Sequence, residues 1–134
     1  MPIDVGLGFG YEEYVHRFIF GPDVYQATLH EPFKRLEEKT GLYVDIYGAV
    51  FFKYEELKFL EKLVYDAASY IKSKPSEWEV YMGRTTYYKD GQKLKEEETF
   101  ETAYKEKLTD LVANLTKVVE EAKANKKGIS FLGD

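Results

Sequence analysis

Tyr104, Leu108, Leu111, Leu115, Val118 and Ala122 recur at spacings of 4, 3, 4, 3 and 4 residues. This stripe constrains the fold most, because only a helix gathers these positions on one face, and that face must be buried against something apolar. It predicts a helix over about Phe100–Asn125. Thr99 stands at its N-cap, Lys123, Lys126 and Lys127 at its negative end, and Gly128 at its stop. A second stripe of Leu57, Leu60, Val64, Ala67 or Ala68, and Ile71, widened by Phe59, Leu63 and Tyr70, predicts a helix over about Tyr54–Lys74 that Pro75 ends. A shorter third helix is expected over Pro32–Thr40, with Pro32 at its first position and Gly41 as its cap.

Between the helices the period changes to two. Leu42, Val44 and Ile46 alternate with Tyr43, Asp45 and Tyr47, and Trp78, Val80 and Met82 alternate with Glu79 and Tyr81. Thr85–Tyr88 is rich in strand formers and leads to the turn dipeptide Asp90-Gly91. Ile129–Leu132 reads as a short last strand. Ile3, Val5, Leu7 and Phe9 read as a first one, with a nearly bare opposite face of Asp4, Gly6 and Gly8. Tyr14–Phe20 is apolar without a decisive period, and Glu96, Glu97 and Glu98 read as an acidic loop. The pattern predicts an α+β or α/β layered domain. Two long helices and a shorter one would accompany a small mixed sheet, the long pair against one of its faces. With 134 residues and no Pro/Gly/Ser-rich linker, one domain over 1–134 is expected.

Composition closes several chemical routes. The chain has no cysteine, so thiol nucleophiles, disulfides, thiolate zinc sites and iron–sulfur clusters are excluded. Its 19 basic and 24 acidic residues give a net charge of −5, concentrated in residues 1–52, which speaks against a nucleic-acid or anionic-membrane binder. No segment reaches the roughly 18 apolar residues of a membrane span. The start, MPIDVGLGFGYEEY, has neither the basic nor the apolar region of a signal peptide, so a cytoplasmic location is expected.

Motifs for catalysis are equally sparse. Gly6, Gly8 and Gly10 fall short of a dinucleotide loop because Tyr11 stands where the third glycine belongs, and they read as punctuation or as room for close packing. His16 and His30 are the only histidines. Glu13 and His16 form half of a di-iron pattern without its second copy, so neither metal nor cofactor is expected. None of Ser69, Ser73, Ser76 and Ser130 sits in a nucleophile elbow.

Aromatic residues make up 16% of the chain, with 12 Tyr, 9 Phe and 1 Trp. Phe51, Phe52, Phe100, Phe131 and Trp78 are assigned to the core. The tyrosines differ, because their polar handle suits interface cores. Alternation places Tyr43, Asp45 and Tyr47 on one strand face and Glu79 and Tyr81 on another. If these strands are neighbours, the five residues form one tyrosine–carboxylate binding surface. The competing reading has other elements cover that face and turn it into a second core.

In size, acidity, tyrosine richness and lack of cysteine, the chain resembles small immunity or inhibitor proteins that neutralise a bacterial toxin. YVDIYG (Tyr43–Gly48), WEV (Trp78–Val80) and FLGD (Phe131–Asp134) are its most distinctive stretches. The resemblance is one of general character, and it implies a single toxin partner and no cofactor. The expected function is therefore a non-enzymatic protein-binding domain with a basic protein partner. Two alternatives stand beside it. One is a small-molecule or acid–base enzyme pocket built from Tyr43, Asp45, Tyr47, Glu79 and Tyr81 with a histidine. The other is a homo-oligomer whose seam is the Tyr104–Ala122 stripe.

Overall fold

The computed structural model describes residues 2–133, and Asp134 of the FLGD stretch lies outside them. The fold is α+β, with four α-helices and two antiparallel sheets. Strands β1 (Ile3–Leu7), β2 (Val15–Phe20), β3 (Ala49–Phe52) and β6 (Ile129–Leu132) form one sheet in the order β2-β1-β6-β3. Every ladder in it is antiparallel, which corrects the expected mixed sheet. No crossover helix joins strand neighbours in a parallel sense. The last strand instead enters between β1 and β3 and runs against both.

Helices α1 (Asp23–Thr28) and α2 (His30–Thr40) follow β2, and α3 (Leu57–Lys72) follows β3. Helix α2 starts two residues before Pro32. The proline thus sits in the first turn, where no backbone N–H is needed, and Gly41 caps the end at φ 75° as its sequence position predicts. The long helix α4 spans Lys105–Ala124 rather than starting near Phe100. It lies against the four-stranded sheet, while α3 packs on α4 and on α2, so the two long helices do not share the sheet face equally. Leu108, Leu111, Leu115, Val118 and Ala122 are buried in the chain's own core, which uses up the stripe that could have joined two copies. Gly128 is not the helix stop. Lys126 takes the positive φ there, and Gly128 serves a close backbone approach described below.

Between α3 and α4 the chain leaves the body as a two-stranded ribbon. Strands β4 (Glu77–Lys89) and β5 (Gln92–Tyr104) have 13 residues each, and Asp90-Gly91 turns them at φ 53° and 77°. This positive-φ pair is the hairpin turn that the dipeptide predicts. Thr85–Tyr88 belongs to the same strand as Trp78–Met82. Glu96–Glu98, expected in a loop, and Thr99, expected as a cap, are paired strand residues.

Candidate interaction surface

The ribbon is fixed at its root by one face. Val80 and Ala103 are buried there, and Trp78 beside them is half-buried. The Trp78 indole N–H donates to Thr28 Oγ1 at 3.1 Å, and that hydroxyl is hydrogen-bonded to the Tyr70 phenol at 2.8 Å. Lys74 Nζ sits over both rings, 4.8 Å from the Tyr70 centroid and 5.3 Å from Trp78. The Tyr25 phenol accepts the Tyr104 backbone N–H at 3.2 Å. These contacts come from α1, α3 and Lys74 just after α3, so the root is held by side chains rather than by further strands.

The opposite face of the root looks to solvent. Side chains directly opposite in an antiparallel pair share a face. The successive pairs Glu77–Tyr104, Glu79–Thr102 and Tyr81–Phe100 therefore stand in one row. Tyr81, Phe100 and Tyr104 are each 51% exposed. Tyr81 and Phe100 meet edge to face with centroids 5.6 Å apart, and Thr102 Oγ1 donates to Glu79 Oε1 at 2.6 Å. Phe100, assigned to the core by sequence, is thus a surface residue. Beyond a bulge at Met82 the same face continues with Arg84, which contacts Glu96 and Glu98 at 3.5 and 3.3 Å. Lys93 pairs with Glu96. On the other face Lys95 pairs with Glu97 at 3.0 Å and lies over the Tyr87 ring.

Charge divides accordingly. Residues 77–104 hold seven acidic and four basic side chains, net −3, whereas 84–98 hold four of each. The excess negative charge belongs to Glu77, Glu79 and Glu101 at the root.

The remaining sequence-derived candidates do not join this row. Leu42–Asp45 is not a strand but a loop, and Ile46–Gly48 a turn, leading into β3 of the other sheet. The alternation of 42–47 therefore does not create a shared sheet face with Glu79 and Tyr81. The Tyr43 phenol is half-buried, with Gln26 Nε2 and His30 Nδ1 each at 3.5 Å. Asp45 Oδ1 accepts the Tyr47 N–H at 3.0 Å and so stabilises the turn, and Tyr47 is 67% exposed. The loop has this form because the C-terminal segment runs against it: Gly133 N–H donates to Gly48 O at 2.8 Å.

His16 belongs to a third place, the outer face of the four-stranded sheet. Its Nδ1 is 2.8 Å from the Tyr14 phenol and 4.0 Å from Asp4. The Tyr14 ring lies over Gly6, where a Cβ would come within 2.5 Å of it, so the glycine makes room for an aromatic ring. Burial, and then the Asp4 charge, push the Tyr14 phenol up to about 12. Because the folded state holds this proton more tightly than the unfolded one, stability should fall as pH rises between about 10 and 12. Tyr14→Phe should flatten that part of the profile in urea titrations, and an unchanged slope would contradict the assignment. Arg17 and Glu121 pair through two bonds of 2.7 and 2.8 Å, tying β2 to α4. The guanidinium bonds hold the Glu121 carboxyl below its ordinary range.

Among the described residues no three His, Cys, Asp or Glu side chains are grouped to hold a metal ion, and no helix is long and apolar enough to cross a membrane. Sequence reasoning missed Phe100 and Tyr104 as surface residues, since a helical reading of 100–125 absorbed both. The signal that could have found them is Asp90-Gly91: counting strand pairs back from that turn places Phe100 near Tyr81. No protein-family model, no curated protein and no solved structure matches this chain.

Proposed function

We propose that this is a non-enzymatic, cytoplasmic protein-binding domain that takes a basic protein partner on the outer face of the ribbon root. One observation carries the reading: Tyr81, Phe100 and Tyr104 stand half-exposed in a row with Glu77 and Glu79, on a ribbon whose other face is anchored. A rigid strand pair loses little entropy on binding. Tyrosine and phenylalanine supply contact area, and the carboxylates steer a basic partner. Neutralisation of a toxin, as the immunity-protein resemblance implies, is one form of this reading and uses the same surface.

The test replaces Tyr81, and in parallel Tyr47, by a photo-crosslinking phenylalanine in the full chain expressed in its source cells. A single basic protein should be captured through position 81 and not through position 47. Tyr81→Ala with Phe100→Ala should leave the far-UV spectrum unchanged and weaken that protein's binding about 30-fold or more, the effect of losing a hot spot. Capture through position 47 alone, or wild-type affinity in the double variant, would reject the ribbon as the contact surface.

A further inference from the structure

We infer that the row at the ribbon root is an arginine-binding site: a guanidinium of the partner lies over the Tyr81–Phe100 pair and ion-pairs with Glu79. The inference rests on the protein-binding reading for its biological ligand and adds the chemistry of the contact. Same-face neighbours along a strand are about 7 Å apart, so the Glu79 carboxylate and the aromatic pair are within reach of one long basic side chain. The Thr102 hydroxyl at 2.6 Å holds one Glu79 oxygen in place.

Two other exposed rings, one of them farther along the same ribbon, carry a cation of the chain's own. Lys95 lies over Tyr87 at 4.8 Å and Lys62 over Tyr65 at 5.1 Å. Among the described residues no cation lies over Tyr81 or Phe100, although both are half-exposed. Arg84, the basic residue that follows on the same face, is engaged by Glu96 and Glu98. Lys74 serves the rings of the anchored face, whereas Glu77 and Glu79 form no ion pair among the described residues, so the outer face of the root has aromatic rings and negative charge with no cation over the Tyr81–Phe100 pair. The distal ribbon has such a cation and is neutral.

Arginine fits better than lysine for a geometric reason. A guanidinium stacks flat on a ring while its in-plane N–H groups still reach a carboxylate. An ammonium is compact and strongly hydrated, and it meets only one of the two demands well.

The experiment is an NMR titration of the full-length, nitrogen-labelled protein with two capped peptides, Gly-Arg-Gly-Arg-Gly and Gly-Lys-Gly-Lys-Gly. Amide shifts should cluster at residues 79–81 and 100–102, and the arginine peptide should bind about fivefold tighter than the lysine peptide. Tyr81→Leu keeps an apolar strand residue and should remove that preference. Glu79→Gln should weaken both peptides and flatten the salt dependence. Shifts spread over other acidic positions such as Glu12, Glu13, Glu37 and Glu38 would overturn the site, as would equal affinities or an unaltered preference in Tyr81→Leu. A partner crosslinked at position 81 with no arginine preference would sink this inference and leave protein binding standing. Arginine binding here, with the partner docked elsewhere, would do the reverse.

Discussion

Gly128→Ala should cost about 3 kcal/mol or more and lower the melting temperature by roughly 10 °C, as followed by circular dichroism. A Cβ at this position would stand 2.2 Å from the Phe52 carbonyl oxygen and 3.2 Å from Phe9 Cβ. The first neighbour is backbone in a fully buried strand residue, so it cannot swing aside. Relief requires β3 and β6 to separate where Phe52 pairs with Ile129, or the loss of the 2.9 Å bond from Gly8 N–H to Gly128 O. Gly48→Ala is the control, since an added Cβ meets nothing within 4 Å and no positive φ is required. A melting temperature within about 2 °C of wild type for Gly128→Ala would show that the strands yield more easily than close packing allows.

Phe131→Ala should cost about 3–5 kcal/mol, a large share of the stability of an ordinary domain. Phe131 is 2% exposed on the central strand β6, in register with Val5 on one side and Val50 on the other. Its ring meets that of Phe52 edge to face with centroids 5.6 Å apart, so truncation leaves a cavity and strips a second buried ring of its partner. In urea the midpoint should fall with little change in slope, and Phe131→Leu should recover most of the loss. A loss below about 1 kcal/mol would mean that the layer between sheet and α4 collapses into the gap.

What could be read from the residues follows their periodicity. The stripes of α3 and α4 hold over several turns, so their existence and buried faces were legible: Leu57, Leu60 and Ala67, and Leu108, Leu111 and Leu115, are all core. Ile129–Leu132 and the Asp90-Gly91 turn were legible because short-range chemistry decides them. Strand β5 was not. QKLKEEETFETAY is rich in residues that a helix accepts, and it becomes a strand because β4 pairs with it and cross-strand contacts such as Arg84 with Glu98 and Tyr87 with Glu97 absorb its charges. The helical stripe therefore began five residues late, at Lys105. Leu42–Tyr47 fails in the opposite sense. Its alternation is strand-like, yet Asp45 closes a turn on Tyr47 and the C-terminal segment bonds to Gly48, so no ladder forms along it.

The candidate surface divides in the same way. Glu79 and Tyr81 were legible because strand alternation is local and puts both on one face. Phe100, Thr102 and Tyr104 join them only through the register of a hairpin whose second strand has no strand signal of its own. The sequence by itself determined helices α2, α3 and α4 but not the short α1, and it determined the sheet-forming ends, the absence of thiol chemistry and the acidic balance, since each depends on composition or on neighbours within a few residues. Tertiary structure alone decided that the sheet is antiparallel, that a 13-residue ribbon stands between the two long helices, and which aromatic residues face solvent. Those outcomes depend on which distant segments meet, and side-chain period carries no record of that pairing.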